Sequence, residues 1–138
     1  LLTATSRDDK LWPESDWIVV ARELVRRGIT PVLPGGNTTE RERAARIAAA
    51  APGAVAAPGL GIRELAGIVG RSRIAIGVDT GLAHLATALK IPTLALYTAT
   101  DPALTGVLGS AWFRNLGGKN APPSAADVLA LADEALQA

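Results

Sequence analysis

Short apolar runs alternate along the chain with segments whose apolar residues recur at helical spacing. Five apolar runs predict strands, at 1–4, 29–33, 54–57, 73–78 and 92–97. Five helical patterns follow them, at about 14–27, 39–51, 62–69, 82–89 and 125–136. The apolar runs are continuous rather than alternating, which is typical of strands buried on both faces. The pattern predicts an α/β fold: a Rossmann-like, doubly wound, mostly parallel sheet with helices on both faces.

The ends of the first two helices are marked by individual residues. Pro13 suits the first turn of the first helix, and Gly28 suits its end. Either Thr38 or Thr39 is placed to cap the second helix, with Glu42 as the capping-box partner of Thr39.

The later part of the chain is less regular. The third helix is expected to bury a face of four residues at helical spacing: Ile62, Leu65, Ala66 and Val69. Residues 98–120 are predicted to be mainly loop, with one short extended piece near Trp112. Ser124 is placed to cap the last helix.

Composition narrows the class of protein. The 138 residues suit a single domain spanning 1–138, and 49% hydrophobic with 20% charged residues excludes a disordered chain. No apolar run reaches the ~20 residues that cross a bilayer. Fourteen basic and thirteen acidic residues, mixed along the chain, argue against a protein that coats nucleic acid. Because residue 1 is leucine, we expect the chain to be part of a longer protein.

Several kinds of site are excluded by missing residues and motifs. The chain has no cysteine and one histidine, which excludes disulfides, thiolate metal sites and histidine clusters. No Gly-x-Gly-x-x-Gly follows the first strand, and there is no Walker A sequence, so standard NAD sites and P-loops lose support. A serine hydrolase is disfavoured because no Gly-x-Ser-x-Gly turn is present.

Four polar segments fall at predicted carboxyl ends of strands, where doubly wound sheets bind ligands. The segments are 5–10, 34–40, 79–84 and 98–101. The last follows the fifth strand, and either forms a wall of a ligand site or is a capped turn.

The segment 79–84 carries the sharpest signal. It opens a helix directly after the most apolar strand, so free backbone N–H groups there favour a phosphate. Thr80 adds a hydroxyl, Gly81 lets an anion approach the backbone, and His84 follows one helical turn later. The alternative is that Asp79 only caps the helix and His84 is a structural side chain.

Two further segments have a functional and a structural interpretation. Thr5, Ser6 and Lys10 suit a diphosphate, but the residues alone favour a solvated loop with internal Arg–Asp pairs. Glu40 lies where Rossmann-type sites hold ribose hydroxyls. It is also placed as a helix N-terminal glutamate that favours the helix dipole.

Four sequence segments together resemble a known family. They are Thr-Ser-Arg-Asp-Asp-Lys-Leu-Trp-Pro at 5–13, Leu-Pro-Gly-Gly at 33–36 followed by Glu40, Val-Asp-Thr-Gly-Leu-Ala-His at 78–84, and Leu-Tyr-x-x-Thr-Asp-Pro at 96–102. Over essentially the whole chain they resemble the C-terminal half of the lipopolysaccharide heptosyltransferases of glycosyltransferase family 9. The segment 7–13 resembles the heptosyltransferase I group most closely.

The resemblance implies the donor-binding half of a GT-B enzyme, whose acceptor-binding N-terminal domain is absent from this chain. The implied reaction is an inverting transfer of heptose from ADP-L-glycero-β-D-manno-heptose to lipid-linked Kdo. It implies no cofactor, no metal in the nucleotide site and no nucleic-acid partner. It also implies a cytoplasmic enzyme, peripheral at the inner membrane face. This chain alone is expected to bind donor without turnover, with the catalytic base in the missing domain.

The resemblance also implies roles for residues near the nucleotide. Thr5, Ser6 and Lys10 would contact the diphosphate and sugar, with Lys10 offsetting charge on the leaving ADP. Glu40 would hold the ribose hydroxyls, and Leu60 would pack on the adenine.

The remaining implied roles belong to the helix start after the fourth strand. Thr80 and Gly81 would bind phosphate, and His84 would support this phosphate cluster. Asp79 would meet the heptose or organise the loop.

Two positions depart from the family pattern. Gly35 stands near where the first heptosyltransferases often carry a tryptophan, and Thr98-Ala99 replaces a common Gly-Pro. Two alternatives therefore stay open. One is the donor domain of another GT-B glycosyltransferase with a different nucleotide sugar, and the other is a non-catalytic nucleotide-binding module.

Overall fold

A computed structural model describes residues 1–5, 7–78, 80–99 and 112–137. The strands within these ranges are β1 (Val32–Leu33), β2 (Val55–Ala56), β3 (Ala75–Val78), β4 (Thr93–Tyr97) and β5 (Phe113–Gly117). The helices are α1 (Glu14–Arg26), α2 (Thr38–Ala50), α3 (Ile62–Gly70), α4 (Gly81–Ala88) and α5 (Ala125–Gln137), with a short 3₁₀ helix at Asp8–Lys10.

The strands pair in parallel in two groups, β1 with β2 and β3 with β4 with β5. Residues 1–2 lie between the groups. Leu2 forms a parallel bridge to Gly77, and the Leu1 nitrogen donates to the Val32 carbonyl at 2.8 Å. The spatial order is therefore β2, β1, the segment at Leu2, β3, β4 and β5. Along the chain, β1 and β2 are added on one side of the segment at Leu2, and β3, β4 and β5 are added on its other side. The strand order therefore reverses between Leu2 and β3.

Side-chain alternation along β3 and β4 separates a larger core on one face of the sheet from two smaller clusters on the other face. Ile76 and Leu94 point into the larger core, which is also formed by residues of α1, α2 and α5. Ala75 belongs to a second cluster with residues of α3 and α4, and Tyr97 to a third with Ala83 of α4. All described residues of β3 and β4 are buried. The predicted doubly wound sheet with helices on both faces is confirmed.

Several local predictions are confirmed. Gly28 has a φ of 80°, which suits the glycine that ends α1. The Ser124 hydroxyl accepts from the Asp127 nitrogen at 3.1 Å at the start of α5. The extended piece near Trp112 is a full strand, β5, which pairs with β4 along its length.

Two local predictions are wrong. Asn37 caps α2, because its side chain accepts from the Glu40 nitrogen at 2.8 Å, so the helix begins at Thr38 and neither threonine is the cap. The capping pair is therefore Asn37 with Glu40, and Glu42 is not part of it. Ile62 is 68% exposed although its spacing of seven puts it on the same side of α3 as the buried Val69, because it stands at the first residue of the helix.

Two tryptophans pack together in the larger core. The rings of Trp12 and Trp17 meet edge to face, with centroids 4.9 Å apart. The Trp12 Nε1 donates to the Pro123 carbonyl at 3.0 Å and so ties the start of α1 to the approach to α5. The buried Trp17 Nε1 has no hydrogen-bond partner within the described part of the chain.

Because only one of the two indole N–H groups is hydrogen-bonded within the described residues, replacing each tryptophan by phenylalanine should lower the free energy of unfolding by different amounts. Trp12→Phe leaves the buried Pro123 carbonyl without its donor, whereas Trp17→Phe removes a donor that is already unpaired. We expect Trp12→Phe to lower the free energy of unfolding by about 1–3 kcal/mol more than Trp17→Phe. Urea unfolding followed by far-ultraviolet circular dichroism measures both, and equal losses would contradict the expectation.

Candidate functional site

A cavity of about 500 Å³ opens at the carboxyl ends of the central strands. It lies where the strand order reverses, which is where open α/β sheets bind ligands. Its walls come from the loops after Leu2, β1 and β3, together with side chains of α2, α3 and α4. The described lining residues are Ala4, Thr5, Asp8, Leu11, Pro34, Gly35, Gly36, Asn37, Thr39, Glu40, Arg43, Leu65, Thr80 and Leu82.

Three of the predicted binding residues meet at this cavity. Thr5 follows the segment at Leu2, Glu40 lies in the first turn of α2, and Thr80 precedes α4. They are far apart in sequence, and the parallel sheet brings them to one edge. Ser6 and Asp79 lie outside the described residues.

The start of α4 presents a hydroxyl and open backbone. Thr80 occupies the N-cap position with extended backbone, but its side chain makes no capping hydrogen bond. Gly81 is exposed, and a Cβ added there would meet nothing within 4 Å. A helix start with unused N–H groups favours an anion. His84 is exposed, and it is not among the described residues that line the cavity.

The described residues of the loop at 5–10 show features of both predicted interpretations, the solvated loop and the ligand site. Arg7 pairs with Asp9, with Nε 3.0 Å from Oδ1, as the solvated-loop alternative expects. The Arg7 hydrogen bond holds the pKa of the Asp9 carboxyl below its usual range. Thr5 nevertheless lines the cavity, while Lys10 is half-buried in the 3₁₀ helix and is not among the described lining residues.

A second hydrogen bond fixes this loop from the other side. The Thr98 hydroxyl donates to the Asp9 carbonyl at 2.7 Å, which ties the loop after β4 to the 3₁₀ helix. The predicted segment 98–101 is thus described only at Thr98 and Ala99, and Thr100 and Asp101 lie outside the described residues.

The start of α2 places a carboxylate on the cavity wall. Glu40 Oε1 accepts from the Gly36 nitrogen at 3.1 Å, and the Glu40 nitrogen donates to Asn37 Oδ1. The carboxylate is therefore held at the helix N-terminus, as the dipole interpretation expects, and it also lines the cavity. Its second oxygen, Oε2, takes no part in the bond to Gly36.

The apolar part of the wall differs from the expectation. Leu60 is half-buried in the loop before α3 but is not among the described lining residues, and Leu65 and Leu82 line the cavity instead. Sequence reasoning also missed Arg43, on the second turn of α2. Its spacing of three from Glu40, which puts both on one helix face, was the available signal.

No group of three histidine or acidic side chains is arranged to hold a metal within 1–5, 7–78, 80–99 and 112–137. Every helix within those same ranges is too short or too polar to span a bilayer.

The family model described as glycosyltransferase family 9 (heptosyltransferase) matches residues 1–126. The chain belongs to this family. Lipopolysaccharide heptosyltransferase 1 of Pseudomonas aeruginosa is 42% identical over 108 residues, which is 78% of this chain and 30% of that protein. The protein of the same name from Escherichia coli K12 is 39% identical over 78% of this chain and 34% of its own length. The chain thus spans about a third of these relatives.

Solved structures of the family give the same fold. The structure titled E. coli heptosyltransferase WaaC with ADP matches with a TM-score of 0.88 and 34% identity, over 97% of this chain and 42% of that one. The same enzyme with ADP-2-deoxy-2-fluoro heptose matches at 0.86 and 32%, over 96% of this chain and 41% of that one. E. coli heptosyltransferase II matches at 0.84 with 22% identity, over 99% of this chain and 45% of that one, which supports the fold.

The turn after β1 in this family 9 chain requires glycine. A Cβ at Gly35 would lie 2.7 Å from the Arg41 nitrogen and 2.9 Å from the Glu40 carbonyl carbon. Both atoms are backbone of α2, so a side chain here would displace the first turn of the helix. The turn approaches α2 so closely at position 35 that this chain has no room there for a tryptophan side chain.

We expect Gly35→Ala to lower the free energy of unfolding by about 1–3 kcal/mol, because backbone cannot move aside as a side chain can. Gly67→Ala is the matched control. A Cβ at Gly67, inside α3, would meet nothing within 4 Å, so alanine should stabilise by about 0.5–1 kcal/mol through its helix propensity. Chemical denaturation measures both, and a neutral Gly35→Ala would show that the turn is looser than the structure has it.

Proposed function

We propose that this chain is the nucleotide-sugar-binding part of a lipopolysaccharide heptosyltransferase, with ADP-heptose as the donor. The observation that carries the proposal is the convergence of Thr5, Glu40 and Thr80 on one cavity where the strand order reverses. The similarity over nearly the whole chain to a heptosyltransferase solved with ADP supports the choice of nucleotide.

The cavity offers different chemistry at different walls. The hydroxyls of Thr5 and Thr80 and the N-terminus of α4 suit the diphosphate, which needs donors. The Glu40 carboxylate accepts hydrogen bonds and suits ribose hydroxyls. Leu65 and Leu82 supply apolar surface. The volume lies within the range of cavities that hold a small molecule, about 300–1,000 Å³.

In the proposed reaction an acceptor hydroxyl attacks the anomeric carbon of the heptose with inversion. The new C–O bond forms as the bond from that carbon to the β-phosphate oxygen breaks, and the acceptor proton passes to a base in the part of the enzyme outside this chain. ADP leaves with an additional negative charge. This chain's contribution is electrostatic, because donors already facing the diphosphate stabilise that charge as it develops.

Three roles are proposed for residues away from the described cavity wall. Lys10 offsets charge on the leaving ADP, His84 supports the phosphate cluster, and Leu60 packs on the adenine. Lys10 and His84 each stand within two residues of a residue that lines the cavity, and Leu60 lies in the loop before α3, whose Leu65 lines it.

The proposal extends to partners through the rest of the enzyme. The acceptor is lipid-linked Kdo, bound by the N-terminal half, and the full-length enzyme works in the cytoplasm at the inner membrane face. Ser6 and Asp79 complete the donor site, the first at the diphosphate and the second at the heptose. The donor site works without a metal or a cofactor.

Calorimetric titration of the chain tests the donor assignment. We expect saturable binding of ADP and at least tenfold weaker binding of UDP, because the cavity is proposed to hold adenosine. The double variant Thr80→Ala/His84→Ala should lose ADP binding while its thermal unfolding stays unchanged, since both side chains are partly or fully exposed. Equal binding of ADP and UDP would favour a different nucleotide sugar.

Turnover by the full-length enzyme tests the role of Lys10. Lys10→Ala should lower kcat by about 10- to 1,000-fold, as expected when one stabilising group is removed from a developing charge. Lys10→Arg keeps the charge and is the matched control, with a smaller loss. Unchanged turnover in Lys10→Ala would remove the residue from the mechanism.

A further inference from the structure

A half-buried guanidinium lines the cavity without an assigned role. Arg43 lies on α2, three residues after Glu40, and forms part of the cavity wall. Its Nε is enclosed by protein and has no hydrogen-bond partner within the described ranges. Buried polar groups are nearly always hydrogen-bonded. The described residues therefore do not hold the guanidinium through Nε, and because that atom is enclosed, a molecule in the cavity would meet the outer N–H groups of the same side chain.

The other arginines of α2 form hydrogen bonds to groups outside the cavity wall or at its turn, although the charge of Arg43 also helps Arg46 to lower the pKa of the Glu14 carboxyl. Arg46 forms two hydrogen bonds of 3.1 Å to the Glu14 carboxylate, which connects α2 to α1. Arg41 donates to the Gly36 carbonyl at 3.4 Å, at the turn that precedes the helix. Neither is among the described residues of the cavity wall, so Arg43 is the arginine of α2 that faces the cavity.

The charge of the cavity wall points to an anion beside Arg43. Asp8 and Glu40 contribute carboxylates, and among the described lining residues Arg43 is the only cationic side chain. A diphosphate brings further negative charge into a partly enclosed space, where an unpaired charge is strongly disfavoured. Binding there requires a cation to offset the two carboxylates.

The position of Arg43 on the helix allows this contact. Side chains on a helix tilt toward its N-terminus, so Arg43 extends back over the turn that holds Thr39 and Glu40. Both of these residues also line the cavity. A guanidinium has forked donors that match two phosphate oxygens at once.

We propose that Arg43 is a phosphate-binding residue of the donor site, whose guanidinium donates to the diphosphate of the nucleotide sugar. This inference rests on the proposed function and adds to it a cation from α2, a different element from the start of α4 that carries Thr80. Glu40 and Arg43 then contact different parts of the nucleotide. The carboxylate accepts hydrogen bonds from the ribose hydroxyls, and the guanidinium donates to the phosphate oxygens.

Calorimetry with ligands of decreasing phosphate number tests the contact. The chain and its Arg43→Gln variant are titrated with ADP, AMP and adenosine. Loss of a charge-assisted hydrogen bond should raise the Kd for ADP by about 10- to 100-fold. The Kd for AMP should rise less, and that for adenosine should not change. A loss of the same size for all three ligands would overturn the phosphate contact.

Two further variants separate this role from a structural one. Arg46→Gln removes a guanidinium from the same helix away from the cavity, and should leave the Kd for ADP unchanged. Arg43→Lys keeps the charge but loses the forked donors, and should give a several-fold loss confined to the phosphorylated ligands. If Arg43→Gln fails to fold, an unchanged Kd for ADP in Arg43→Lys overturns the inference.

The outcomes also separate this inference from the proposed function. ADP binding by the chain together with an unchanged Kd in Arg43→Gln overturns the role of Arg43 alone. A folded chain that binds no ADP overturns the donor assignment, and the role of Arg43 with it.

Discussion

The close approach of Leu2 to Gly77 is the contact on which the rest of the structure depends. A Cβ at Gly77 would lie 2.7 Å from the Leu2 Cβ, so only glycine allows the two segments to pair. Their pairing is carried by two hydrogen bonds, from the Leu2 nitrogen to the Ile76 carbonyl and from the Val78 nitrogen to the Leu2 carbonyl, at 2.8 and 3.1 Å. These bonds join β3, β4 and β5 to the first segment, and Leu1 joins that segment to β1. The cavity exists because loops on both sides of this junction face each other.

The start of α2 shows how one set of polar groups serves both the fold and the site. Asn37 and Glu40 satisfy backbone N–H groups that a helix start would leave unpaired. The same helix turn places Glu40 on the cavity wall, and the next turn places Arg43 there. A helix that had to be capped thus carries a carboxylate and a guanidinium, three residues apart, on one cavity wall, where the proposed nucleotide would meet both.

The elements with strong local signals could be predicted from sequence, and those that depend on tertiary contacts could not. The strands at 73–78 and 92–97 and the glycine at 28 are marked by apolar runs or by turn chemistry. β5 was expected only as a short extended piece, because its residues, such as Arg114 and Asn115, alternate poorly and its identity as a strand comes from pairing with β4. The α2 cap was misplaced because threonine and asparagine compete for adjacent positions, and only the backbone decides between them.

For the site too, some residues could be predicted from sequence and others depend on how the elements pack. Thr5, Glu40 and Thr80 were found because the carboxyl ends of parallel strands meet at one edge, which is a property of the topology. Arg43 was missed, and the described lining does not include Lys10, Leu60 or His84. Which side of a helix or loop faces a cavity depends on how that element rotates against its neighbours, and a single sequence carries little information on that rotation.

The cavity walls come from loops separated by most of the chain, since Thr5 and Thr80 stand on opposite sides of the sheet junction. No local part of the sequence can assemble this surface before the parallel strands have paired. A nucleotide that binds it therefore favours the native state over the unfolded ensemble, with a stabilisation that grows with the logarithm of ligand concentration. The proposed nucleotide would connect the two halves of the sheet, so their separation would become rarer as its concentration rises.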